Sequence, residues 1–120
     1  MSASGRRAAE RCGQRAERLA AFALRLSGWR IMARRWRSKA GEIDLVVRRG
    51  WLIASIEVKA RGDLTDALEA VSARQRARIV RAASSFLAQH PKFANLGVRF
   101  DAMAVTPGRW PRHIADAWRP

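Results

Sequence analysis

The sequence predicts an α/β fold, a mixed sheet with helices packed against it in the order α-β-β-β-α-β, with a further edge strand after the last β. Three observations carry this. Small and apolar residues recur at helical spacing through the first 26 positions. Two alternating apolar runs flank Gly50. A second helical stretch ends at Pro91, before one more apolar run. The 120 residues fit a single domain over 1–120, with residues 1–5 expected to be disordered. Hydrophobic residues make up 48%, enough to bury a core, which argues against wholesale disorder.

The first helix is expected from Arg6 to about Leu26, where Ala8, Cys12, Ala16, Leu19, Ala20, Ala23 and Leu26 recur and Ser27-Gly28 ends the pattern. A short strand follows over 29–36, and Ser38 to Gly41 reads as a turn. The clearest strands are 42–49 and 51–60, joined as a hairpin around Gly50. A second helix is expected from Asp63 or Thr65 to about Gln89. Residues 98–105 read as a strand closed by Pro107-Gly108, and 112–118 as a short edge strand.

Charge narrows the partners. The chain carries 24 basic and 10 acidic residues, a net of +14, and the first 40 residues hold 11 of the basic and 2 of the acidic groups. Such a surface attracts polyanions, nucleic acid before an anionic membrane. Arginine outnumbers lysine 21 to 3, which suits bidentate phosphate binding and also follows from GC-rich coding. Cys12 is the only cysteine, so neither an internal disulfide nor a cysteine zinc cluster is available. No run is long and apolar enough to span a bilayer, and the N-terminus lacks the apolar stretch of a signal peptide, so a cytoplasmic protein is expected.

Alternation places Ile43, Leu45 and Val47 on one face of the first hairpin strand, with Glu42, Asp44, Val46 and Arg48 on the other. In the second strand Leu52, Ala54, Ile56 and Val58 oppose Ile53, Ser55, Glu57 and Lys59. A two-residue turn at Gly50-Trp51 pairs Arg49 with Leu52, which sets Asp44 opposite Glu57 and Glu42 opposite Lys59. Carboxylates with Cβ atoms about 5 Å apart repel unless a cation lies between them. Mg²⁺ or Mn²⁺ suits such a pair, and Lys59 on the same face can serve an attacking water or a phosphate, the parts needed for phosphodiester hydrolysis. The alternative is a solvated strand face carrying ordinary Glu-Lys and Asp-Arg pairs.

These same residues carry a family resemblance. Gly41-Glu42-Ile43-Asp44-Leu45, then 12 residues from Asp44 to Glu57, then Glu57-Val58-Lys59-Ala60-Arg61 closely resemble the small uncharacterised bacterial YraN-type family. Arg99-Phe100-Asp101 and His113-Ile114 resemble its downstream segments, and the match covers about residues 10–118. The resemblance implies a restriction-endonuclease-like fold of the PD-(D/E)xK superfamily. It makes Asp44, Glu57 and Lys59 catalytic, and it adds Glu17, a helical glutamate, to Asp44 and Glu57 as a metal ligand. Two positions depart from the pattern. Ala16 stands where relatives carry Gly, and Gln75 stands where they often carry Lys, so Gln75 supports the site without a positive charge.

The expected activity is therefore a metal-dependent nuclease using Mg²⁺ or Mn²⁺. The runner-up is a non-catalytic nucleic-acid-binding module that keeps the fold. DNA is favoured over RNA as partner, no membrane is expected, and a homodimer is allowed. Arg34, Arg35, Arg37, Lys39 and Arg61 are the expected phosphate contacts. Arg74, Arg76, Arg78 and Arg81 read as a solvated helix face. Trp29, Trp36 and Trp51 fit packing at strand ends or stacking on bases. His90 reads as a helix cap and His113 as structural.

Overall fold

The computed structural model describes residues 3–60 and 71–120, with residues 3–12 described by their backbone alone. Helix α1 (Ala3–Leu26) leads into strands β1 (Arg30–Ser38), β2 (Gly41–Arg49) and β3 (Leu52–Lys59). Helix α2 (Ala73–Gln89) and a 3-10 turn (Pro91–Phe93) then lead to β4 (Gly97–Ala104) and β5 (Arg112–Trp118). The strands form one sheet in the order β1-β2-β3-β4-β5, antiparallel except for the parallel β3–β4 pair. This is the predicted element order, with the final edge strand present.

The two helices cover opposite faces of the sheet. On one face Ala16, Ala20, Ala21, Ala23 and Leu24 of α1 pack on Leu45, Val47, Ala54 and Ile56. Four alanines let the helix approach the sheet closely, and Ala16 is one of them. On the other face Ile79, Ala82, Ala83 and Phe86 of α2 pack on Val46, Ile53 and Phe100. Trp36 meets Phe86 edge-on, with ring centroids 5.5 Å apart.

Helix boundaries differ from expectation for identifiable reasons. Helix α1 starts at Ala3, so it takes in residues 3–5 of the stretch expected to be disordered; Ala3, Arg6, Arg7, Ala8 and Ala9 include strong helix formers. It ends in a Schellman motif. Gly28 has φ 89, Gly28 N–H bonds Arg25 O at 3.0 Å, and Trp29 N–H bonds Leu24 O at 3.0 Å. Trp29 is thereby committed to closing the helix, and β1 begins one residue later than predicted. The second helix was expected to run unbroken from Asp63 or Thr65, but Val71 and Ser72 are not helical. Ser72 Oγ accepts the Gln75 N–H at 3.2 Å and caps α2. Residues 63–70 of that expected helix lie outside the described residues. At the other end His90 caps as predicted, its Nδ1 lying 2.8 Å from Phe86 O.

A buried ionic cluster locks β5 to the sheet. Asp101 is fully buried on β4, where the β4–β5 register shifts between Phe100 and Ala102. Its carboxylate accepts two bonds from Arg99, each 2.8 Å, and the Asp116 N–H at 2.9 Å, and lies 2.6 Å from His113 Nε2. Burial opposes the charge, but the His113, Arg99 and backbone bonds outweigh it and hold the carboxyl below its usual range. The structural role expected of His113 is this contact.

Glycine matters most at the start of β2. A Cβ on Gly41 would lie 2.7 Å from the Arg78 carbonyl oxygen of α2. Only a bare backbone fits there, and the fit fixes α2 against the end of the hairpin. Gly41→Ala forces one element to shift and is expected to cost about 1–3 kcal/mol. A urea denaturation series reads this as a lowered midpoint; a midpoint equal to wild type would mean that the two elements are not tightly docked.

Candidate active site

The hairpin register is the predicted one. Arg49 lies opposite Leu52, and the pairing counts back to Leu45 opposite Ile56. The ladder stops there, one step short of Asp44 and Glu57. The carboxylates take over its hydrogen bonds. Asp44 Oδ2 accepts the Val58 N–H at 2.9 Å, and the Asp44 backbone N–H favours the ionised form of the Glu57 carboxyl. Strand alternation also breaks here. Ile43 was expected beside Leu45 and Val47, but it packs in the α2-side cluster with Val46 and Ile53. On the neighbouring strand Arg35, between Arg34 (opposite Leu45) and Trp36 (opposite Ile43), has φ 48. That conformation costs a non-glycine residue on the order of 1–2 kcal/mol, and it turns the paired strands so that the next residues change face.

The opening creates a pocket of about 230 Å³ lined by Glu42, Asp44, Glu57, Gln75, Arg78 and Ile79. Glu57 is only 4% exposed. Its Oε2 accepts from Gln75 Nε2 at 3.3 Å, while Oε1 is buried and meets no donor. Burial, and then the negative charge of Asp44, push the Glu57 carboxyl up to about 9. Asp44 is also raised, by burial first, with Glu17 adding to the effect and the Val58 N–H and Lys59 opposing it. With its carboxyl raised to about 9 by burial and by Asp44, Glu57 keeps its proton at neutral pH in the metal-free pocket. Lys59 forms no ion pair among the described residues, yet its charge favours the ionised form of both carboxyls.

The structure thus brings together Asp44, Glu57, Lys59 and Gln75. Gln75 contacts Glu57 directly, as an inward-facing residue should. Glu17 is placed differently from the metal-ligand expectation. Its carboxylate bonds Arg35 Nε at 2.7 Å, and among the described residues no three His, Cys, Asp or Glu side chains gather as a ligand group. Glu17 reaches Asp44 only through its field. Arg35, expected to bind phosphate, is occupied by Glu17. Arg37 lies 3.4 Å from Glu42, which is exposed and pairs with it rather than with Lys59. Arg34 and Lys39 are exposed, Arg34 lining a second cavity of about 220 Å³ with Gln14, Glu17, Arg18 and Arg35. Arg61 lies outside the described residues. Trp29 is buried and Trp36 packed, whereas Trp51 is 80% exposed at the hairpin turn and packs at no strand end.

Arg78 is exposed, as a solvated helix face requires, and it also lines the acidic pocket. Three residues beyond Gln75 on the same helix, it stands one turn along from the position where a lysine is missing. That spacing was the available sign. A larger groove of about 700 Å³ lies between α2 and β4–β5, lined mainly by Val80, Leu87, Val98, Phe100 and Trp118. It holds no carboxylate pair, so chemistry rather than size selects the smaller pocket.

The donor set fits a hard divalent cation. It offers two adjacent carboxylates, a buried oxygen without a donor, and a charge that burial penalises until something positive compensates it. Gln75 and Arg78 line the same pocket, and the charge of Lys59 acts on both carboxyls.

Fold and pocket together define an α/β protein with a buried acidic pair where a central hairpin opens. The chain belongs to the family described as Uncharacterised protein family UPF0102, whose pattern matches residues 16–105. It is 57% identical over 113 residues to a UPF0102 protein of Parvibaculum lavamentivorans, covering 94% of this chain and 85% of that protein. It is 53% identical over 116 residues to a UPF0102 protein of Paramagnetospirillum magneticum, covering 93% and 90%. A UPF0102 protein of Chelativorans sp. is 50% identical over 113 residues, covering 94% and 91%.

The raised carboxyl makes a signed prediction. Folded Glu57 keeps its proton up to about 9, whereas the unfolded side chain loses it near 4.5. Between those values the native state binds more protons, so metal-free stability falls as pH rises, by at most about 1.4 kcal/mol per pH unit. Glu57→Gln should flatten that decline. Urea midpoints in chelator between pH 5 and 9 measure it, and equal slopes for both proteins would show that Glu57 titrates normally.

Proposed function

We propose that this protein is a metal-dependent phosphodiesterase of the endonuclease type, with a restriction-endonuclease-like core, acting on nucleic acid and on DNA rather than RNA. The observation that carries this reading is Glu57, buried beside Asp44 with one oxygen lacking any donor, in a chain of net charge +14. Asp44 and Glu57 are the residues that would hold Mg²⁺ or Mn²⁺. When bound, such an ion supplies Lewis-acid polarisation of a phosphoryl oxygen.

The chain's own groups do the rest. Gln75 Nε2 fixes Glu57 Oε2 and so aims the other oxygen. Lys59 neutralises charge on the phosphate and orients the attacking water. Arg78, in the pocket wall, adds the positive charge that Gln75 lacks. Strand β1 is the edge of the sheet, and Arg30, Arg34, Arg37 and Lys39 stand exposed along it and its following turn. That row leads toward the pocket and suits a phosphate backbone. With a polyanionic partner and one cysteine, the protein is assigned to the cytoplasm, and its oligomeric state in this reading is a monomer or homodimer.

Gln75 in place of lysine supports a second reading, a nucleic-acid-binding module that keeps the fold without cleaving. Asp44→Asn separates the two. In the enzyme reading this variant is at least as stable as wild type in chelator, because the cost of burying the Asp44 charge has gone. It loses most of the thermal shift that millimolar Mn²⁺ gives wild type, and nicking of branched and linear DNA disappears. If Mn²⁺ shifts neither protein, the metal site is wrong and the binding module stands.

Lys59→Met removes the charge and keeps most of the stem. Cleavage should drop by about 10²-fold or more with DNA affinity nearly unchanged. Lost affinity with normal turnover would make Lys59 a phosphate contact. Duplex affinity should also fall steeply with salt, and each of Arg34→Ala, Arg37→Ala and Lys39→Ala should reduce the log–log slope by about 0.9. A slope near zero in wild type would remove nucleic acid as the partner.

A further inference from the structure

The outer face of α1, on the opposite side of the sheet from the acidic pocket, is apolar where a surface helix should be polar. Leu19, Phe22 and Leu26 are 43%, 51% and 66% exposed. Their i, i+3, i+7 spacing aligns them as one stripe along the helix. The stripe is extended by a residue from elsewhere in the chain. Trp110, from the loop between β4 and β5, is 59% exposed and meets Phe22 edge-on with ring centroids 6.0 Å apart. Two elements distant in sequence thus build one continuous apolar surface. Clustered exposed apolar side chains of this kind mark interaction sites.

The charges bordering the stripe decide what fits it. Arg15, Arg18 and Arg25 on α1 and Arg109 and Arg112 beside Trp110 are all exposed. None has an ion-pair partner among the described residues. A second copy docked symmetrically would set this same arginine border against itself. Nucleic acid would meet the arginines but gain nothing from Leu19 and Leu26, and a T-shaped ring pair leaves no flat platform for a base. We propose that this face is a docking surface for an acidic amphipathic helix of a partner protein, its apolar residues on the Leu19–Phe22–Leu26–Trp110 stripe and its Glu or Asp side chains on the arginine border. Docking there leaves the acidic pocket open, so the surface is a means of delivering the domain to its place of work.

The test is a selection from a display library of helical peptides, followed by binding of individual synthetic peptides to the full chain by fluorescence anisotropy. The enriched sequences should combine leucine or phenylalanine at three- and four-residue spacing with net negative charge. Phe22→Ser and Trp110→Ser should each weaken such a peptide by at least tenfold while circular dichroism and melting temperature stay near wild type. Arg18→Glu together with Arg25→Glu should do the same and restore binding to a lysine-bearing counterpart. Enrichment of sequences without acidic bias, or unchanged affinity in the folded Phe22→Ser variant, overturns the proposal. So does partitioning of wild type onto phosphatidylglycerol vesicles that Phe22→Ser abolishes, or a concentration-dependent dimer that it dissociates.

Discussion

Glu57 is almost wholly buried, with the charge of Asp44 beside it, and the fold has to hold that pair in place. In a low-dielectric site two such groups cannot both stay ionised without a cation. The strands answer by separating at the right residue. Once the β2–β3 ladder ends at Leu45 and Ile56, the backbone N–H of Val58 turns to the Asp44 carboxylate, and a small pocket appears between the strands and α2. Much else in the molecule keeps this opening from widening or closing.

Two kinds of contact do that. From the α2 side, the bare backbone of Gly41 lies directly against Arg78, and the capping serine sets where the helix begins, so that Gln75 falls within reach of Glu57. From the α1 side, four alanines bring the helix down onto the sheet, and Glu17 from that helix holds Arg35 in its left-handed conformation beside Asp44. The pocket is therefore clamped from both faces. The ionic cluster around Asp101 is the counterpart at the far edge: it satisfies a buried charge with four contacts from three residues, where the Glu57 site leaves one oxygen unmet. The contrast separates a carboxylate whose oxygens the fold fully satisfies from one with an oxygen left free.

How much of this was legible in the sequence follows from which forces leave a mark in it. The sheet and the register were legible because period-two alternation and a tight turn at Gly50, whose φ is 60, both constrain the same pairing. Asp44, Glu57, Lys59 and Gln75 follow from that register and the helical period. The change of face at Ile43 was not legible, because the left-handed residue that accompanies it is an arginine, and arginine carries no signal for positive φ. The Ser72 cap was legible in principle, since Ser72 and Gln75 have the S-x-x-Q spacing of a capping box, but the apolar pattern upstream obscured it. Glu17 entered as a metal ligand through the family resemblance alone, and its actual partner Arg35 depends on a backbone irregularity 18 residues away. The cluster at Asp101 depends on a register shift between strands, and no single-strand pattern shows one.

Strand β1 has a further consequence as one of the two open edges of the sheet. A nine-residue edge leaves unpaired N–H and C=O groups along its outer side, the template on which sheets of different molecules join. Proteins commonly guard such an edge with charge, and here Arg30, Arg34 and Arg37 do so by mutual repulsion between copies. That protection is electrostatic, so it has a range. At about 0.1 M salt the screening length is about 10 Å, roughly the reach of an arginine side chain, and at 1 M it shrinks to about 3 Å. The protein's solubility is thus tied to ionic strength in the direction opposite to that of many basic proteins bound to polyanions. Salt at that concentration screens the charge that keeps the exposed edges apart.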